Sequence, residues 1–260
     1  MNNSRISFIN LCFLFVLLWA PLGQYNFLVE SWMKVGVYIA PCLLFMYFSS
    51  RTEEKRLTLF DPKFISVLLL IAYIIHQTEE HWVDLLGNQY AFYDYFNALL
   101  LALLHAENTS AMPLTPESIF VINTSLVWLV GVIAIWRSPE HLFPSLAMAG
   151  MTLVNAFSHV MSGVFKHSYN PGLLTAIVLF IPLAIAFYRA ILINNPTAKS
   201  QVIASIVWAI TAHILLFGGL LAANWFALFP EIIYFAVLVT WSVTPIFLFN
   251  LPKPPSQPQT

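Results

Sequence analysis

Residues 64–82 read FISVLLLIAYIIHQTEEHW, and the fold turns on how that stretch is read. From Phe64 to Ile75 there is no charged residue, and then His76, Glu79 and Glu80 follow before any Gly or Pro interrupts the run. A segment of this length and apolarity is a candidate transmembrane helix. Its last turns carry groups that lipid does not solvate. The stretch therefore poses two questions, what surrounds it and what those groups are for.

What surrounds it is more of the same. Hydrophobic residues make up 59% of the 260 and charged residues only 9%, with a mean hydropathy of +0.77. A soluble domain needs about a quarter charged residues to cover its surface, so lipid is the solvent for much of this chain. The net charge of -1 comes with no basic cluster, which argues against a nucleic-acid partner. Cys12 and Cys42 both lie in apolar runs, so neither a disulfide framework nor a cysteine-ligated zinc site is expected. The N-terminal run 6–22 lacks a small-residue cleavage site and reads as a retained helix rather than a signal peptide.

Apolar runs near 20 residues fall at 6–22, 34–49, 64–83, 118–136, 142–165, 172–193, 201–223 and 227–249. The expected fold is all-α, a polytopic transmembrane helix bundle of about eight spans, with residues 1–251 forming one membrane domain. Residues 96–106 (FNALLLALLHA) are too few to cross and predict an interfacial or re-entrant helix. The Pro-rich tail 252–260 reads as disordered.

Orientation follows from the cations. With an inside N-terminus, Arg5, Arg51, Lys55, Arg56, Lys63, Arg137, Arg189, Lys199 and Lys253 fall on the inner side and only Lys34 and Lys166 on the outer. That imbalance satisfies the positive-inside rule and predicts two cytoplasmic termini. On this topology His76, Glu79 and Glu80, then Asn155 and His159, then His167, and finally His213 all fall toward the outer ends of their helices. Groups from separate helices at one depth predict a single polar site near the extracytoplasmic side.

His76, Glu79 and Glu80 stand at i, i+3 and i+4 on one helical face; Asn155 and His159 are also i, i+4. Imidazoles and carboxylates together suit a divalent metal, zinc first and iron second, and a cation would let two carboxylates stay ionised at low dielectric. The expected ligands are His76, His159 and His167 with Glu79 or Glu80, the other carboxylate being a general base and Asn155 orienting substrate or a ligand. A di-iron site asks for four carboxylates, and beyond these two only Glu231 is a distant candidate. The plainer readings are that His81 and Asp84 mark a helix leaving the membrane, and that His213 is interhelical hydrogen-bond glue.

His76-Gln77-Thr78-Glu79-Glu80, Asn155 with His159, and Tyr169 with Pro171-Gly172 together resemble the integral membrane proteins named for their HXXEE motif, over about residues 64–193. The resemblance implies a membrane protein of a family without known function. A looser likeness is to CAAX-type intramembrane proteases, which also pair a double glutamate with histidines on other helices. There the fourth residue after the second Glu is Arg, here Asp84, and the second motif opens with Phe where this chain has Asn155.

These features lead to an expected membrane-embedded, metal-dependent hydrolase taking a lipid or lipid-like substrate from the outer leaflet. A cation- or proton-coupled transporter and a non-catalytic membrane scaffold are the alternatives. Partners beyond the bilayer and oligomeric state are not legible.

Overall fold

The computed structural model describes residues 25–49, 61–106, 112–138 and 140–249. The expected first span at 6–22 with Cys12, the inner-side cations Arg51, Lys55 and Arg56, and the tail lie outside the described residues. Among the described residues eight helices follow one another: α1 Tyr25–Ser49, α2 Pro62–His81, α3 Ala91–Leu103, α4 Pro116–Arg137, α5 Phe143–Lys166, α6 Leu173–Asn194, α7 Pro196–Trp225 and α8 Glu231–Ile246. Among the described residues there is no strand beyond an isolated bridge between Val83 and Gln89.

Helix starts are written locally. Asp61 accepts the Lys63 N–H at 2.9 Å with Pro62 at the first helical position, and Thr115 accepts the Ser118 N–H ahead of α4 in the same way, beside Pro116. Each side chain satisfies one of the donors that a helix N-terminus leaves unpaired, and proline loses nothing there. The helix α1 begins well before the expected residue 34, because nothing between Tyr25 and Lys34 breaks it.

Among the described residues, four helices are long and apolar enough to cross a membrane: Asn26–Ser49, Pro116–Arg137, Leu173–Asn194 and Pro196–Trp225. The expected count of about eight is not confirmed: the span at 6–22 lies outside the described residues, and two further helices fall short of these four in apolarity for a chemical reason. The helices α2 and α5 run for 20 and 24 residues, but they hold His76, Glu79, Glu80, Asn155 and His159, which lower their apolarity. The 13-residue α3 rises only about 20 Å, short of the roughly 30 Å hydrocarbon core.

The centre of the bundle is α5, which packs on α2, α4, α6 and α7. It lies parallel to α2 in fixed register. Ser66 meets Ser145 (2.9 Å, 79 residues on), Tyr73 bonds the Met151 carbonyl (3.1 Å, 78 residues on), and Glu80 reaches His159. The polar ends of α2 and α5 thus arrive at the same height. Gly150 permits the close approach of α7, since a Cβ there would lie 2.6 Å from the Ser205 carbonyl oxygen; small residues serve this purpose in membrane bundles.

Two of the helices contain a π-helical turn beside the polar end of α2: Thr124–Leu129 in α4 and Ala176–Phe180 in α6. In an α-helix, residues five apart point about 140° away from each other. A π turn, bonded i to i+5, stacks them instead. It thereby places Asn123 with Trp128, and Thr175 with Phe180, on common faces directed at α2.

Candidate metal centre

His76, Glu80 and His159 converge, one ligand atom from each lying within 4.8 Å of the others, and all three residues are buried. Glu80 Oε1 is 3.0 Å from His159 Nε2, and Glu80 Oε2 is 3.4 Å from His76 Nε2 and 3.3 Å from His81 Nε2. A carboxylate in a dry bundle needs compensation worth several kcal/mol, and here imidazoles surround it.

The tautomers follow from the outer partners. Thr175 Oγ1 has one proton and gives it to the Glu79 carboxylate at 2.5 Å, so it accepts from His76 Nδ1 at 2.7 Å. Asn170 Nδ2 donates to the His159 carbonyl at 3.0 Å, which turns Asn170 Oδ1 toward His159 Nδ1 at 2.8 Å as an acceptor. Each ring therefore carries a proton on Nδ1 and, when neutral, presents an Nε2 lone pair to Glu80. Facing lone pairs and a carboxylate repel unless a cation or a proton lies between them. His76 Nε2 is buried and has no hydrogen-bond partner. Imidazoles fixed through Nδ1 by outer oxygen atoms, with Nε2 free, are the usual arrangement of metal-ligating histidines, so the residues present fit a divalent ion.

Glu79 is occupied elsewhere. Its carboxylate accepts from Tyr169 Oη (2.9 Å), the Leu174 and Thr175 backbone N–H groups (3.2 and 2.9 Å) and the Thr175 hydroxyl. It caps the start of α6, where backbone donors and the helix dipole favour an anion. The turn Tyr169–Gly172 carries this cap: burial, with the adjacent Glu79 carboxylate, pushes the Tyr169 phenol above its ordinary range, against the Leu85 N–H that it accepts. Tyr169 thus stays a donor. Gly172, at φ +92°, presses so closely on the centre that a Cβ would lie 2.7 Å from both His76 Cε1 and His159 Cε1.

The remaining expected residues divide. Asn155 lines the cavity next to Glu80 and His159, and its Oδ1 is buried without a partner. His167 is not brought into the group. It closes α5 in a left-handed conformation (φ 49°) and is exposed. His213 bonds the Ala209 carbonyl in its own helix at 2.8 Å and lines the cavity wall. Glu231 lies apart, receiving Thr115, Ser118 and Asn224. Asp84 shapes the loop through Leu86 and Asn88. His81, expected to meet water, is instead buried against Trp32 and Phe92. Thr175 and Asn170, which set the tautomers, and Phe180, whose ring lies 4.3 Å from that of His76, had no sequence signal apart from their closeness to the Tyr169–Gly172 turn.

The cavity of about 220 Å³ beside the centre is bounded by Glu80, His159 and Asn155 on one side. Phe92, Phe96, Leu99, Ile122 and Phe217 form much of the rest.

Set beside known proteins, residues 67–187 match the family described as proteins of unknown function with an HXXEE motif, and over that stretch the chain is similar to it. The matched stretch contains α4 and α5, most of α2 and α6, and every residue of the His76–Glu80–His159 group. No curated protein and no solved structure matches the chain, and the likeness to CAAX-type proteases has no support from them.

Proposed function

We propose that this protein is a membrane-embedded metal-dependent enzyme, a hydrolase of a lipid or lipid-like substrate. One observation carries the reading. His76 and His159 turn their Nε2 atoms toward the Glu80 carboxylate in a buried group beside an apolar cavity. His76, Glu80 and His159 would hold the ion, zinc before iron. Bound there, the metal would supply Lewis-acid polarisation of a carbonyl or phosphoryl oxygen. Asn155 offers its free Oδ1 to a substrate N–H or O–H at the cavity edge, and the aromatic wall takes an apolar chain. Glu79, saturated by four donors, holds the turn and the tautomers rather than serving as a base.

The test is a metal analysis of the detergent-purified protein, paired with fatty-acid release from acyl-ester lipids in mixed micelles. The wild type is expected to retain close to one zinc or iron per chain and to release product only when loaded. His159→Ala is expected to lose both. A metal-free wild type that stays metal-free after incubation with zinc and with iron would overturn the reading.

The topology proposed with it has the centre toward the outer face and α3 lying along that face. With Cys12 and Cys42 replaced by Ser, the single variants Asn88→Cys and Met112→Cys flank α3. Both are expected to react with an impermeant thiol reagent from the same, outer side. Labelling from opposite sides would show that α3 crosses.

A further inference from the structure

Resting on the hydrolase reading above, we infer that the substrate is a glycerophospholipid cut at an acyl ester, its phosphate held by Lys166 and the hydroxyl pair of Tyr95 and Ser162. Asn155, His159, Ser162 and Lys166 stand at i, i+4, i+7 and i+11, so one face of α5 leads from the centre to the end of the helix. Ser162 and Tyr95 both line the cavity beside the centre, Tyr95 from α3. Lys166 Nζ lies 4.3 Å from the centroid of the Tyr95 ring, which sets an ammonium at the rim of that cavity.

Two counts point to an anion. The first is charge. Lys166 is exposed and, among the described residues, has no carboxylate partner. A cation–π contact occupies one side of an ammonium and leaves its other hydrogens for an acceptor. The second is protons. Tyr95 Oη and Ser162 Oγ lie 2.5 Å apart. Two hydroxyls own two protons, and their mutual bond uses one. Among the described residues neither hydroxyl has another acceptor. Whichever of them donates, one O–H is left over at the cavity wall. The end of α5 presents carbonyls rather than N–H groups, so these side chains are the donors that a phosphate meets there.

Spacing selects the bond that is cut. At 1.5 Å per residue, Ser162 lies about 4.5 Å and Lys166 about 10 Å along α5 from His159. A phosphate bound between them is too far from the centre to be the group that reacts. In a glycerophospholipid the nearer acyl carbon is joined to phosphorus through two ester oxygens and two glycerol carbons, a reach of roughly 6 Å at about 1.5 Å per bond. That length brings an ester carbonyl to His76, Glu80 and His159 while the phosphate stays at the rim, and the acyl chain enters the aromatic part of the cavity. In the hydrolysis, the oxygen of water bonds to the acyl carbon as that carbon's bond to the glycerol oxygen breaks. A proton of the water passes to the glycerol oxygen, giving a fatty acid and a lysophospholipid.

The experiment uses the full chain in a non-ionic detergent, metal-free for binding and zinc-loaded for turnover. Dioleoylphosphatidic acid is compared with dioleoylglycerol, which has the same esters and no phosphate. The wild type is expected to bind the phospholipid at least about 10-fold more tightly, the lower end for hydrogen bonds to a charged group, and to release fatty acid from it without inorganic phosphate. Lys166→Gln is expected to erase that preference with dioleoylglycerol binding unchanged, and Lys166→Arg to keep it. Tyr95→Phe and Ser162→Ala each leave one spare O–H, so each single variant is expected to bind like wild type and the double variant to lose about 10-fold. A hydroxyl pair that only braces α3 against α5 would show the reverse, the whole loss in either single variant. Equal binding of the two lipids, or an intact preference in Lys166→Gln, overturns the inference, and fatty-acid release from either lipid then leaves the hydrolase reading standing. Inorganic phosphate released in place of fatty acid overturns the choice of bond. Free glycerol phosphate competing at the lipid's own affinity assigns the site to a soluble ester and overturns the lipid. Lys166-dependent binding with no fatty acid from the zinc-loaded protein supports the phosphate site and overturns the hydrolase reading instead.

Discussion

Gly172→Ala is expected to abolish metal retention and to lower the melting temperature sharply. Two penalties combine at this position. Gly172 has φ +92°, in the left-handed region where a Cβ costs about 1–2 kcal/mol. The added methyl would also lie 2.7 Å from both His76 Cε1 and His159 Cε1 and 2.9 Å from Glu80 Cγ. Those atoms cannot easily yield, because His76 is tied to Thr175 and His159 to Asn170; overpacking of this sort costs about 1–3 kcal/mol. Either the turn moves, releasing the Glu79 cap, or the two rings separate, and in both cases the Nε2 atoms lose their common focus. Gly87 supplies the control. Its φ is +84°, but a Cβ there meets nothing within 4 Å. Gly87→Ala should carry the backbone penalty alone and keep its metal. Metal analysis and thermal unfolding of both variants in detergent decide the matter: equal loss of metal from the two would mean that crowding of the centre is not the cause.

The same turn marks how far the sequence could be read. Helical class, helix order and the shared depth of His76, Glu80, Asn155 and His159 follow from apolar runs and 3.6-residue periodicity, because each of those signals lies within one helix. The division of labour between Glu79 and Glu80 does not. At i+3 and i+4 from His76 both lie on its face, and only the packing of α6 against α2 brings the Leu174 and Thr175 N–H groups to one and not the other. His81 was hidden for a related reason. A histidine beside two glutamates and ahead of Trp82 reads as the polar exit of a span, and what buries it are Trp32 and Phe92 from helices distant in sequence.

The π turns were the least legible feature. Thr175 with Phe180, and Asn123 with Trp128, are residues five apart that act on one target. Thr175 and Phe180 both touch His76, and Asn123 and Trp128 both bond Gln77. A reader applying the α-helical repeat assigns each such pair to different faces. The composition of these segments, TSLVWL and AIVLF, gives no warning. Conversely, the polarity that defines the site also obscured the membrane count, since it is what keeps α2 and α5 from matching the apolarity of the four clear spans.

The sharpest test of the centre is the contrast between its two adjacent glutamates. Glu80→Gln replaces an anionic oxygen among three imidazoles by an amide of nearly the same shape. It removes the only carboxylate in the group, and the variant is expected to purify without metal, a loss beyond the roughly 10–100-fold that outer partners control. Its metal-free fold should survive, because the amide N–H can donate to an imidazole Nε2 and relieve the lone-pair repulsion there. Glu79→Gln acts in the opposite sense. Its amide nitrogen must face a donor, Tyr169 and Leu174 on one oxygen or the two Thr175 groups on the other. Hydrogen bonds to a charged group contribute about 1.5–3 kcal/mol, so this variant should be the less stable of the two without metal. It should still bind zinc, weakened by about 10–100-fold through the loosened Thr175–His76 contact. Chelator competition and thermal unfolding of the metal-free proteins measure both quantities on the same preparations. The arrangement requires the two variants to rank oppositely, Glu80→Gln worse for metal and Glu79→Gln worse for the fold. Equal and mild effects on both would reduce the pair to polar residues at the end of a helix.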